Sequence, residues 1–209
     1  VELVGNHGLL ALDFEKYINA LVESGSNRSD SIIRVYGCFL QLAVESDQSI
    51  RDEVFDSFSA LGGNFDAYVD ALISRGRSKE VLELIALLAP HWDHNLGYCK
   101  LGSAAFRAGD IKVAEPFLVK LWNGIEGSSF SAEMSMLAEI WYNRDKQNAA
   151  SDLLIDCLRK TVAEIQETKF ISDRQMLADQ FHLHRSTYLR LFPDGESDLT
   201  EQGLLDGPC

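Results

Sequence analysis

The sequence predicts an all-α protein made of antiparallel helix pairs stacked side by side. Three observations predict it. First, two stretches set 36 residues apart, from Leu101 and from Leu137, carry the same arrangement of small residues. One reads Leu101-Gly102, Ala105-Phe106, Gly109-Asp110, Ala114 and Leu118. The other reads Leu137-Ala138, Trp141-Tyr142, Asp145, Ala150 and Leu154. A fainter copy runs upstream through Tyr68-Val69, Leu72, Gly76, Val81 and Ile85. Small residues at equivalent points of consecutive helices are needed where helix axes approach closely. Second, apolar residues recur at spacings of three and four along most of the chain, the period of an amphipathic helix. Third, there are only four prolines and no long alternating β-branched runs, which disfavours sheet.

Residues 1–10 bear glycine and lack a period, so they read as a lead-in. Leu12, Phe14, Ile18, Leu21 and Val22 define a helix over 12–22. Gly25 to Asp30 is a turn, with Ser29 or Asp30 as the expected N-cap. Ile32, Ile33, Val35, Phe39, Leu40 and Leu42 place a long helix over 31–45, its wide apolar face suited to burial between neighbours. Ile50, Val54, Phe55, Phe58 and Leu61 define another, broken by Gly62-Gly63-Asn64. Helices follow over 65–75 and 79–89, separated at Gly76 and ended by Pro90. The clearest pair is 96–108 and 111–122. Its link, Gly109-Asp110, is too short for anything but antiparallel neighbours. A looser loop, 124–129, precedes the second pair, 132–143 and 148–166. A final helix covers 172–191. From Pro193 to Cys209 apolar content is low, and a flexible tail is expected. About ten helices with short turns imply one continuous array: an N-terminal helical region over 1–64, repeats over 65–168, capping helices over 169–192 and the tail over 193–209.

Composition narrows the partners. The formal net charge is -13 over 209 residues. Such a surface keeps a protein soluble and repels phosphate backbones and anionic lipid. Nucleic acid is therefore a poor match, and a basic peptide or protein face a good one. No apolar run reaches 18 residues, so no membrane span is expected, and no basic-then-apolar stretch reads as a signal peptide. The four cysteines, Cys38, Cys99, Cys157 and Cys209, show no paired spacing. The first three fall in helical apolar patterns and read as small core residues. A reducing, cytoplasmic setting is the expectation. Asn27-Arg28-Ser29 matches a glycosylation acceptor, a pattern frequent by chance.

At Leu101-Gly102, Ala114 and Leu118 the chain resembles the tetratricopeptide repeat, which places a large-then-small pair in its first helix and an alanine early in its second. Gly109-Asp110 is similar to that family's inter-helix turn. Leu137-Ala138, Ala150 and Asp145 repeat the match, and the copy around Gly76 is degenerate, with Val69 and Val81 where small residues stand in the family. The tryptophan that usually opens such a repeat is absent from all three copies. The spacing runs from 33 residues, Gly76 to Gly109, to 36, Gly109 to Asp145. The resemblance covers 65–165, half the chain. It implies a right-handed superhelix whose concave face, lined by first helices, binds a peptide or another protein.

Candidate chemistry is sparse. His91-Trp92-Asp93-His94 holds three metal-ligand types without the i, i+4 spacing a helix needs. The plainer reading is a polar turn with Trp92 in the core. His182 and His184 point about 200° apart on a helix and cannot share a metal. Residues 177–190 resemble the helix-turn-helix of bacterial transcription regulators: Ala178 would pack, His182 would hold the turn, and Arg185, Ser186 and Thr187 would open a recognition helix. The alternative for this stretch is a capping helix buried through Leu177, Phe181, Leu183, Tyr188 and Leu191. No nucleophile elbow, P-loop or dinucleotide fingerprint occurs, and the carboxylates are scattered on solvent faces.

The sequence therefore points to a non-enzymatic scaffold or adaptor, without cofactor or metal, that grips a protein segment on its concave face. The plainer reading of Trp122, Trp141 and Tyr142 is core packing; the alternative is a stacking surface, with Trp141 and Tyr142 in a first helix, one facing the groove and the other packing inward. Tyr142 and Asn143 are the leading contact residues, since an Asn amide can hold an extended backbone by two hydrogen bonds. Phe106 and Arg107 complete the candidate set. The alternative function is a transcription regulator contacting DNA through 172–192.

Overall fold

The structure, a computed structural model, describes residues 9–45, 63–124 and 131–205. Among them are ten α-helices and no strand: α1 Leu9–Glu23, α2 Arg28–Glu45, α3 Gly63–Ser74, α4 Ser78–Leu88, α5 Asn95–Arg107, α6 Ile111–Gly124, α7 Ser131–Tyr142, α8 Gln147–Glu167, α9 Ile171–Leu191 and α10 Glu196–Glu201. The all-α class is thus as expected. The expected helix over 50–61, most of the lead-in and most of the 124–129 loop lie outside the described residues.

The chain divides into two compact units, one of residues 1–100 and 107–109, the other of residues 101–106 and 110–209. In the first, α2 packs on α1, α3 on α2 and α4 on α3. Its core holds Ile18, Tyr36, Phe65, Val69, Leu72, Val81, Ile85, Leu88 and Trp92. In the second, α7 packs on α6, α8 on α7, and α9 on both α7 and α8. Leu101, Leu118, Leu121, Leu137, Leu154, Leu158, Phe181 and Tyr188 fill it.

One turn design recurs. Gly76, Gly109 and Asp145 adopt φ of +69°, +86° and +57°. In each case the next residue donates its N–H to the carbonyl five positions back: Arg77 to Leu72, Asp110 to Ala105 and Lys146 to Trp141, at 2.9–3.0 Å. This is the 6→1 bond of a Schellman C-cap, which satisfies a carbonyl the helix leaves open. The following helix begins two residues after the left-handed residue every time, at Ser78, Ile111 and Gln147. Asp110 then serves as N-cap of α6, its Oδ1 accepting the N–H groups of Lys112 and Val113 at 3.1 Å.

The small residues sit where close approach demands them. Ala114, Ala138 and Ala150 are fully buried. Gly102 is buried, and a Cβ there would lie 2.7 Å from Leu118 Cδ2.

Four expectations need correction. Helix α2 starts at Arg28 rather than 31, because its cap is Asn27, whose Oδ1 accepts the Ser29 N–H at 2.9 Å. Cys38 is exposed and Cys99 half-buried; only Cys157 is a core residue. Tyr36 and Leu40 are the buried pair in that part of α2, and Cys38, two positions from each, falls on the opposite side. Leu183, expected on the buried face of α9, is exposed, while Leu177, Phe181, Tyr188 and Leu191 are buried as expected. The stretch expected to be a flexible tail carries α10, with Leu199 and Leu204 both buried. Leu204 donates its N–H to the Leu199 carbonyl at 2.8 Å beside Gly203, φ +67°. This is the Schellman cap again, and the two buried leucines dock it.

Candidate partner-binding surface

The four candidate residues occupy matching places in two helices. Phe106 and Arg107 end α5; Tyr142 ends α7 and Asn143 follows it. Arg107 is held from within. Its Nη1 reaches Asp70 at 2.5 Å and its Nη2 reaches Asp66 at 2.9 Å, both on α3. Asp66 also takes the Lys100 ammonium at 2.8 Å. Lys100 is buried, and its ammonium lies 6.0 Å from the centre of the Phe65 ring. Two acids at i, i+4 on α3 thus face two bases at i, i+7 on α5, since those spacings share a helix face. A charged group taken from water needs such partners.

Phe106 is half-buried. The Tyr142 ring, also half-buried, stands edge-on to Phe192 with centroids 5.2 Å apart. Asn143 is exposed, and its N–H closes the helix on the Glu139 carbonyl at 3.1 Å. Trp141 turns to Glu115 of α6, donating its indole N–H at 3.1 Å. Glu115 also receives Lys146 at 3.0 Å and a close contact from Arg144. Burial works to raise the Glu115 carboxyl, but the Lys146 hydrogen bond and the two cations outweigh it and hold it below the ordinary value. The side chain is largely enclosed and takes three donors from around that turn, so it clamps the 143–146 turn onto α6.

Sequence reasoning missed Asp66, Asp70, Lys100, Glu115, Arg144 and Lys146. Only the i, i+4 acids on α3 left a trace in the sequence; the pairings span 26 to 41 residues and depend on packing.

The His91-Trp92-Asp93-His94 segment is a polar turn around a buried ring. Trp92 is fully buried, edge-on to Phe65 at 5.1 Å. His94 Nδ1 accepts the Gly97 N–H at 3.1 Å, and the Tyr98 hydroxyl donates to Asp93 at 2.5 Å. Among the described residues no three His, Cys, Asp or Glu side chains are grouped to hold a metal. His182 is exposed and His184 buried, as opposite helix faces require.

The helix-turn-helix geometry is absent. Helix α9 runs unbroken from Ile171 to Leu191, through His182 where a turn was required. Thr187, placed by that resemblance in a recognition helix, is buried, and the Ser186 hydroxyl donates to the Leu183 carbonyl at 2.9 Å. Without glycine or proline between 171 and 191, nothing local stops the helix. No described helix is long and apolar enough to cross a membrane.

The fold and these surfaces define an all-helical protein with recurring helical hairpins. Compared with models of known families, with curated proteins and with solved structures, the chain matches none.

Proposed function

We propose that this chain is a non-enzymatic interaction module of tetratricopeptide-like helix pairs, stacked as a right-handed superhelix, that binds a peptide or protein segment on its concave face. The observation that carries the reading is the recurring turn at Gly76, Gly109 and Asp145, each two residues ahead of the next helix. Fully buried Ala114 and Ala150 each stand five positions beyond one of these turn residues and support it further. Phe106, Tyr142 and Asn143 meet the partner. Arg107, tied to Asp66 and Asp70, supports its helix instead. The net charge of -13 favours a basic partner, whose affinity falls as salt is added.

The test is capture of partners on tagged full-length chain, identified by mass spectrometry and repeated with the Phe106→Ala, Tyr142→Ala and Asn143→Ala variants. Lys112→Ala, an exposed change on α6, is the control. Loss of the same partner with the first three and retention with the control supports the reading. Equal capture by all variants overturns the assigned face. A shift of mixed duplex DNA at low salt, abolished by Arg185→Glu, would instead establish DNA contact through α9.

A further inference from the structure

Helix α9 carries a polar group in a place where water does not reach. His184 is completely buried. Its Nδ1 lies 3.4 Å from the Ser135 hydroxyl on α7, and its Nε2 is enclosed without a hydrogen-bond partner. A neutral imidazole offers one donor and one acceptor, so Ser135 satisfies one nitrogen and leaves the other bare. A second proton would add a charge and make both nitrogens donors, with only the Ser135 hydroxyl oxygen placed to accept from one of them.

Several polar groups around α9 are committed elsewhere. From α7, Glu139, one turn beyond Ser135, takes Arg190 at 3.0 Å. From α8, the Ser151 hydroxyl meets the Tyr188 hydroxyl at 3.5 Å, Asp156 pairs with Lys160, and the Cys157 thiol is pushed up to about 12 by burial and stays uncharged. From α10, Asp198 approaches the Tyr188 hydroxyl at 3.5 Å. On α9 itself, His182 and Arg185 flank the ring in sequence, and Gln180, one turn before it, holds a buried carbonyl oxygen without a hydrogen-bond partner.

We propose that His184 is an acid-sensitive latch: its uncharged ring lets α9 seat on α7, and protonation unseats the helix and bares Leu177, Phe181, Tyr188 and Leu191. Burial pushes the imidazole down from 6.5 to about 4. A histidine whose value falls on folding gives its full stability above 6.5, and that contribution drains away as pH drops toward 4. Over that window the constant for seating α9 falls about tenfold per pH unit.

The experiment uses the full chain and compares urea unfolding midpoints at pH 7.0 and 5.5 for the wild type, His184→Leu and His182→Gln. The wild type and His182→Gln are expected to lose about tenfold in folding constant over this step beyond any loss seen in His184→Leu. Equal losses in all three overturn the latch. Two measurements on the wild type stand even if His184→Leu fails to fold. Hydrogen exchange at pH 5.5, corrected for intrinsic rates, is expected to show α9 losing protection before α8; simultaneous loss overturns the proposal. The His184 ring resonances are expected to stay in the neutral form down to pH 5, and an ordinary midpoint near 6.5 overturns it.

Discussion

Leu118 of α6 occupies the space that any side chain on Gly102 of α5 would need, its Cδ2 standing 2.7 Å from where a Cβ would be. Leu118 is fully buried, so it has no open side to turn toward. Gly102→Val is therefore expected to destabilise the fold by about 1–3 kcal/mol through overpacking. Leu118→Ala alone should cost about 2–5 kcal/mol by leaving a cavity. The double variant should cost less than the sum, because the valine fills the space the leucine vacates. Thermal or urea unfolding of the four proteins gives the cycle, and strict additivity would contradict the contact.

Asp145 holds φ of +57° without being glycine. Left-handed backbone costs a residue with a Cβ about 1 kcal/mol, though Asp tolerates it better than most. Asp145→Gly should raise stability by up to about 1 kcal/mol. Gly109→Ala, at φ +86° with open space around it, should lower stability by about 1 kcal/mol from strain alone. Opposite shifts in melting temperature are the expected result.

Glu115 gathers Trp141, Arg144 and Lys146. Its carboxyl lies below the ordinary value of 4.5, so its contribution is present above that pH and is lost as pH falls through the folded value. Glu115→Gln should destabilise by about 1–3 kcal/mol at pH 7, and the difference from wild type should shrink as pH is lowered past 4.5. A difference independent of pH would show that shape, not charge, does the clamping.

The cluster on α3 and α5 is asymmetric. Removing Asp66 takes an ion-pair partner from both the buried Lys100 ammonium and the Arg107 guanidinium, which should cost about 1–3 kcal/mol, more than most single hydrogen bonds. Lys100→Met leaves Asp66 its bond to Arg107 and keeps the apolar contact with Phe65, so a smaller loss is expected. Denaturation midpoints for Asp66→Ala and Lys100→Met compare the two directly.

Much of the architecture was legible along the chain. Helix periods, the turns at Gly76, Gly109 and Asp145, and the need for small residues at 102, 114, 138 and 150 are local properties, governed by a few neighbouring dihedrals and by Cβ bulk. The structure alone decided which charges meet. Arg107 reads as a free contact in sequence and is tied to α3 in space, because an ion pair is set by the packing of helices far apart along the chain. It also decided that Leu199 and Leu204 dock a stretch with too few apolar residues to suggest order, that Cys38 faces outward, and that His184 is enclosed. Burial depends on what lies across the interface, which no local pattern encodes.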